Sequence, residues 1–330
     1  MMRATAPADV HIRTLRSFDD PALHPARWDR LAAGGSGGVF LTHAWQRLWW
    51  NAMAESPLLI VVAERHGEPF AIAPLYAAAG TLMLVGSGSA DYLDFAGHPD
   101  EPALASLLAA ARDALPDFSG IKLYHLRGDS ATCALLPGVA ARLGLELYCE
   151  EEVGAPYADL TDPGAVRYAT DRRKLRKEEA RMRRAGTLAT RAADAAEAGE
   201  MVEVFLAQHS SRWRALGEES FERPGSRELV RNVVDRGVRD GWARLTVLEW
   251  RGAPVALDIS LLAGTTQLNW LVSRDHSIRE HSPGTILAGH VARDAVAAGM
   301  HRLDLGLGEE EYKLRGSSGV TRIENWFMYP

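Results

Sequence analysis

Cysteine is almost absent from this 330-residue chain: it has only Cys133 and Cys149. Two thiols supply neither a disulfide framework nor a metal cluster, so a reducing, cytoplasmic setting and no metal are expected. No run reaches the ~18–20 consecutive apolar residues that a membrane-spanning helix needs. The opening MMRATAPADVHIR lacks an apolar h-region, so no secretory signal is expected there. The sequence also has no G-x-x-x-x-G-K-[ST], no H-E-x-x-H and no C-x-x-C. P-loop nucleotide hydrolysis and zinc proteolysis are thereby disfavoured. A net charge of −6 argues against binding DNA by bulk electrostatics.

The composition, 47% hydrophobic and 24% charged, is that of a globular protein with a sizeable core. Strand and helix patterns alternate along the chain, which predicts a mixed α/β fold. LLIVVAER (Leu58–Arg65) and Phe70–Tyr76 flank the turn HGEP and read as a hairpin. Trp242–Trp250 and Pro254–Leu262 do the same around Arg251-Gly252. His66–Tyr76 echoes Arg251–Leu261, the kind of self-similarity a duplicated domain leaves. Two domains are expected, 1–155 and 156–330. Residues 1–10 read as a loose start, Leu145–Glu150 and Tyr157–Leu160 as separate strands, and Gly164–Ala185 as one basic helix. Val320–Tyr329 reads as a closing strand of the second domain. Trp45, Trp49 and Trp50 crowd LTHAWQRLWW, which predicts a buried amphipathic helix, with peripheral membrane contact as the alternative.

The stretch with the most chemical content is Leu268–Lys313, entered by a strand over Gln267–Ser273. It reads as strand, charged loop, helix and strand, with Ser282-Pro283-Gly284-Thr285 at the helix mouth. The first N–H groups of a helix have no intrahelical partner, and with the helix dipole they suit a phosphate. Ser282 is expected to cap, Pro283 to occupy the first turn, and Gly284 to let a ligand approach. Asp258 lies in the apolar strand VALDISLL. A desolvated carboxylate there would have a raised pKa, as an acid–base group needs. An edge-strand Asp facing solvent is the plain alternative. His209 and Trp213 lie four apart on a predicted helix and share a face. His209 is a candidate base, and Trp213 could pack in the core or line a substrate. Arg172 and Arg173 begin a run of cations with Lys174, Arg176, Lys177, Arg181, Arg183 and Arg184, whose i,i+4 repulsions suggest an anionic partner, a solvated helix face being the plain alternative. Asp91, Tyr92 and Asp94 could hold a cationic amine or a sugar hydroxyl, or cap their loop.

The run HSPGTIL, the helix end AAGM and then LDLGLGEEEYK resemble the closing segment of the CelD-like (BcsL-like) branch of the GNAT acyltransferases. The loop departs from the common glycine-rich GNAT phosphate loop with its leading Arg or Gln. The resemblance, which extends to Fem-type transferases, implies tandem GNAT-like domains and an acyl-CoA, most simply acetyl-CoA, as donor. It implies transfer to an amine acceptor, such as an amino sugar or a cell-envelope or exopolysaccharide precursor, in the cleft between the domains. Donor contacts are implied at Asn269, Trp270, Leu271, Ser282, Gly284 and Thr285. Lys313 is implied to polarise the acyl carbonyl, and Tyr312 to serve as acid for the leaving thiolate. Two other readings remain: a Fem-type enzyme using charged tRNA, with the basic helix tracking the RNA, and a binding module without catalysis. Oligomeric state is not legible.

Overall fold

The computed structural model describes residues 10–54, 56–215, 217 and 221–330. The chain divides into two compact units. One runs to Val153 and takes in Thr321–Pro330; the other is Gly154–Val320. Each has a mixed sheet flanked by helices.

The first unit comprises β1 (Val10–Leu15), α1 (Pro25–Ala32), α2 (His43–Met53), β2 (Leu58–Arg65) and β3 (Glu68–Ala78). It continues through β4 (Thr81–Leu84), β5 (Ala96–Gly97), α3 (Glu101–Asp113), β6 (Gly120–Arg127), α4 (Ala131–Leu143) and the start of β7 (Glu146–Asp159). The second adds α5 (Pro163–Asp171), α6 (Arg173–Ala185), β8 (Leu188–Ala192), α7 (Ala198–Ala215) and α8 (Ser226–Asp240). There follow β9 (Ala243–Trp250), β10 (Ala253–Ala263), β11 (Thr266–Arg274), α9 (Pro283–Ala297), β12 (Arg302–Asp304), α10 (Glu311–Leu314) and β13 (Gly319–Tyr329). Strand order in the first unit is β1-β2-β3-β4-β6-β13, with β5 beside β3; in the second it is β7-β12-β11-β10-β9-β8.

The two units repeat one plan: a strand, two helices, a three-stranded meander, a crossover helix and a strand parallel to the end of the meander. The repeated turns have a shared cause. His66 and Gly67 sit at φ 53° and 78°, Arg251 and Gly252 at 56° and 77°. Two successive left-handed residues make the tight turn whose twist matches a β-hairpin. β4 pairs in parallel with β6, and β11 with β12.

Several expected boundaries shift. Of the expected loose start, residues 1–9 lie outside the described residues, and Val10 already begins β1, which pairs with β2. The strands expected at 145–150 and 157–160 are one, β7. Pro156 does not end it, because Leu305 N uses the Pro156 carbonyl rather than the missing N–H. The basic helix is two helices, broken at Arg172 (φ −65°, ψ 151°). Ala169 and Leu175 are both buried. Six residues apart on a straight helix they would face directions roughly 120° apart, and the break lets both point inward. β13 also differs from expectation: residues from Thr321 on belong to the first unit.

The core of the first unit holds Trp28, Phe40, Trp45, Trp49 and Phe95, all at most 1% exposed. The α2 helix therefore turns Trp45 and Trp49 inward, as its amphipathic pattern predicts. In the second unit α9 packs Ile286, Leu287, Val291 and Ala295 against Leu248 and Ala256 of the sheet and Leu175 of α6. A Cβ on Gly289 would fall 2.3 Å from Leu175 Cδ2, so these helices meet only because residue 289 has no side chain. Gly289→Ala is expected to cost about 1–3 kcal/mol in urea denaturation. Adding Leu175→Ala should recover part of that loss, a non-additivity that reports the contact.

Candidate functional site

The parallel pairing of β11 and β12 covers only Thr266–Leu268 against Arg302–Asp304. Beyond it the two strands diverge. The chain after β12 follows β7, through Leu305 N to Pro156 O (2.9 Å) and Gly308 N to Gly154 O (2.9 Å). β11 stays with β10 but shifts register between Ile259 and Ser260, leaving Trp270 as the extra residue of a bulge. From Asn269 on, β11 therefore has no strand neighbour on one side among the described residues. The side-chain Oδ1 of Asn269, the first residue past the pairing, is buried without a hydrogen bond. Leu271 is half-buried and Trp270 buried.

At the far end of β11 the chain turns into α9. Ser282 takes up a left-handed conformation (φ 47°, ψ 51°), and its side chain does not cap the helix. The capping role expected of Ser282 is therefore not taken up; the residue instead supplies the positive φ for which glycine is usually needed. The first turn of α9 carries no acidic residue. A Cβ at Gly284 would meet only Arg274, at 3.8 Å from Cδ and 4.0 Å from Nη1. Thr285, in the same turn, is half-buried. An open helix mouth with a guanidinium beside it suits a phosphate. Arg274 was not picked out by sequence reasoning, because one Arg at a strand end carries no pattern.

Asp258 is 1% exposed on β10. Burial raises its pKa to about 7, against a smaller lowering by the Ser260 hydroxyl, whose Oγ lies 2.5 Å from Asp258 Oδ1. It is the interior carboxylate of the two alternatives, not a solvent-facing one. Ser260 and its own partner Gln267 were missed, since neither residue type stands out in a strand.

His209 sits among Phe205, Trp213 and Phe221. Its Nε2 accepts the Trp213 indole N–H (3.3 Å). Burial, with Arg212 and Arg227 nearby, lowers its pKa to about 4. A base of that strength with its lone pair engaged is poorly suited to take a proton, so the geometry favours Asp258 over His209. Trp213 is half-buried under the Arg212 guanidinium, 5.7 Å from the ring centroid.

Tyr312 stands 72% exposed on α10. Desolvation and Glu310 raise its phenol pKa, and Arg212 and Arg274 oppose them; solvent screens much of this on so open a ring. The hydroxyl thus keeps its proton at neutral pH. Lys313 is turned elsewhere. Its Nζ donates to Leu307 O (2.5 Å) and pairs with Glu310 (3.1 Å), with the side chain 11% exposed. That ammonium ties down the turn after β12, so a contact with an acyl carbonyl would require it to leave both partners.

The remaining candidates lie apart from this group in the sequence. Arg173 is exposed at the start of α6, whose Lys174, Lys177 and Arg184 are exposed as well. Asp91 and Tyr92 belong to the first unit, with the Tyr92 ring buried beneath Arg127. Asp94 is 3% exposed. Its carboxylate accepts Ser36 Oγ, Ser130 Oγ (2.5 Å), Thr132 Oγ1 (2.5 Å) and Phe95 N (2.8 Å). These bonds saturate the group, so the substrate role expected of Asp94 gives way to stapling three loops. The run Gly34–Gly38 has a G-x-S-x-G spacing, but Ser36 donates directly to Asp94 rather than to a histidine, so it is part of the staple. Cys133, pushed up to about 12 by burial, is no thiolate nucleophile. A surface cavity of about 440 Å³, lined by residues including Asp159, Asp162, Tyr168 and Arg315, opens in the second unit. No group of three or more His, Cys, Asp or Glu among the described residues could hold a metal.

Residues 169–314 match the family model described as an acetyltransferase (GNAT) domain. The chain carries a GNAT-type acetyltransferase domain. That domain makes it an enzyme of the acyltransferase class, and its residues span the diverging strands, Asp258 and α9 described above. No curated protein matches the chain. Among solved structures it is similar to FemX, at 12% identity and TM-score 0.65, over 96% of this chain and 97% of that one. It is similar to the L-PGS of Bacillus licheniformis, at 13% identity and TM-score 0.59, over 93% and 91% of the two chains. A tandem GNAT protein from the clavulanic acid biosynthesis pathway matches at 15% identity and TM-score 0.52, over 97% and 98%. At these identities the likenesses bear on the fold, which is tandem GNAT. They do not single out the CelD-like branch.

Two outcomes test these assignments. Asp94→Ala strands the buried hydroxyls of Ser130 and Thr132 and the half-buried one of Ser36, and should cost about 3–5 kcal/mol in urea denaturation. Asp258 has a folded pKa of about 7, above its ordinary value of 3.8. Its contribution to stability is thus fully present below pH 4 and lost as pH rises through 7. The stability of Asp258→Asn relative to wild type should accordingly grow between pH 4 and pH 8, by on the order of 4 kcal/mol, and a flat difference would refute the buried assignment.

Proposed function

We propose that this protein transfers an acyl group, most simply acetyl, from acyl-CoA to an amine on an amino sugar or a cell-envelope or exopolysaccharide precursor. The observation that carries the reading is the parting of β11 from β12 next to an uncapped, acid-free α9 mouth. The residues present fit such a donor. The mouth of α9 and Arg274 would hold its phosphates, Gly284 leaves room for them, and the edge of β11 at Asn269, which has no strand neighbour among the described residues, would offer hydrogen bonds to an amide-bearing arm. When bound, the thioester supplies an acyl group already activated toward a nucleophile.

The chain's own groups supply the proton chemistry. Asp258, with a pKa near neutrality, accepts the amine's proton directly or through water. Tyr312 keeps a phenolic proton that it can give to a departing thiolate. Backbone N–H groups around Asn269–Leu271 would stabilise developing negative charge on an acyl oxygen. Holding two reactants together supplies much of the rate. The glycan-type acceptor rests on the resemblance of the closing segment to CelD-like proteins.

A second reading has its own support. The exposed cations of α6 could follow a phosphate backbone, which would suit a donor carried on tRNA. Binding would then weaken steeply between 50 and 200 mM salt.

The donor reading predicts calorimetric binding of acetyl-CoA at one molecule per chain. Of the two crossover helices, α9 has an uncapped, acid-free mouth, whereas α3 begins with Asp100 as its cap and Glu101 in its first turn. Gly284→Asp should weaken that binding about tenfold or more, through like charge at the helix start. Two molecules per chain, or none at millimolar donor, would count against it.

A further inference from the structure

The seam that holds Asp258 contains two further polar side chains that the transfer reaction does not use directly. Asp258 and Ser260 lie two apart on β10, and Gln267 on β11 stands opposite Leu262. All three point to one face of the sheet, the face on which Ala256 packs under α9. Ser260 and Gln267 are 0% exposed. Gln267 Nε2 donates to Ser260 Oγ at 3.0 Å, and Ser260 Oγ donates to Asp258 Oδ1 at 2.5 Å.

The direction of this chain is fixed by valence. A hydroxyl has one proton and two lone pairs. With the Gln267 amide on a lone pair, the Ser260 proton is free for Asp258. The amide's other end argues for a role: Gln267 Oε1 is buried with no hydrogen bond. A buried acceptor left unmet is costly, and an apolar side chain of similar volume would avoid that cost.

We infer that Gln267 and Ser260 are positioning residues for Asp258. The glutamine amide orients the serine hydroxyl, the hydroxyl pins one carboxylate oxygen, and the other oxygen is left to exchange a proton. That the proton comes from an acceptor amine rests on the proposed acyl transfer; the positioning itself does not. The groups around the seam leave it uncontested. Thr246 and Val272 are the register partners of Asp258, and Arg244 is that of Ser260. On α9, His290 and Arg293 are paired with Glu179, and Asp294 is exposed. The carboxylate responds to burial and to Ser260, and to none of these charges.

The test needs no substrate. In the free protein the Asp258 carboxyl is followed by its ¹³C chemical shift, identified as the signal absent from Asp258→Asn. Its midpoint, about 7 in the parent, is expected to rise by about one pH unit in Ser260→Ala and by a smaller step in Gln267→Met. Ser260→Thr keeps the hydroxyl and should hold the parental midpoint. Ser260→Ala removes one oxygen and leaves the strand pairing intact, so it decides the matter even if Met is not tolerated at 267. Midpoints that stay put in Ser260→Ala overturn the inference. A second arm follows acetyl transfer from acetyl-CoA to glucosamine. There the acid limb of kcat/KM should move by the same interval, with about tenfold loss at pH 6 and recovery at pH 9. A moved midpoint with an unmoved acid limb would keep the positioning pair and remove Asp258 as the base.

Discussion

Two parallel strands that stay paired for only three residues govern the second unit. A strand edge with no neighbouring strand can present its backbone to a ligand or to water. β11 has such an edge from Asn269 onward among the described residues, and the rest of the unit holds the opening in place. The bulge at Trp270 bends β11. α7 fastens its end, with Ser273 Oγ donating to Gln208 Oε1 while Gln208 Nε2 reaches Pro254 O. Lys313 and Glu310 tie down the turn on the β12 side. α9 then follows β11 after a short connection through His276–His281, so the edge without a strand neighbour and the helix mouth come in succession along the chain.

The first unit has the same meander and the same parallel step, and it closes the corresponding gap. β4 pairs with β6 over Thr81–Met83 only. Past that point Leu93 N bonds to His125 O, and the Leu93 side chain is buried. The segment that fills the gap is stapled by Asp94. A duplicated scaffold has therefore been used once as an opening and once as packing. The difference lies in residues 86–95 and in the charge at one helix start, not in the strand order.

Much of the fold could be read from the chain because it is written in local terms. The His66-Gly67 and Arg251-Gly252 turns, the alternating strands around them and the inward tryptophans of α2 each follow from a few neighbouring residues. What could not be read depends on distant partners. β1 is a strand because β2 offers an edge. β7 runs through Pro156 because Leu305 needs only a carbonyl. The basic helix breaks at Arg172 because Ala169 and Leu175 both seek the interior. The site divides in the same way. The Ser282–Thr285 turn and the out-of-place Asp258 stood out against their surroundings. Ser260, Gln267 and Arg274 are ordinary residues in ordinary strands, and only the register across β10 and β11 and the turn into α9 give them meaning. Asp94 misled for the opposite reason: an acidic loop residue suggests a ligand, but three hydroxyls from distant segments had already claimed it.

β13 has a bearing on how the protein is made. Its residues from Thr321 on complete the sheet of the first unit beside β6, yet they follow the whole of the second unit in the chain. A ribosome releases segments in order, at about 5–20 residues per second. The first unit therefore leaves the exit tunnel with the β6 edge bare and waits for about 170 further residues, roughly 10–30 seconds, before its last strand arrives. During that interval the edge is open to strands of other chains. Chaperone demand should therefore fall early, on a half-finished sheet, rather than on the acyl-transfer unit that is translated later.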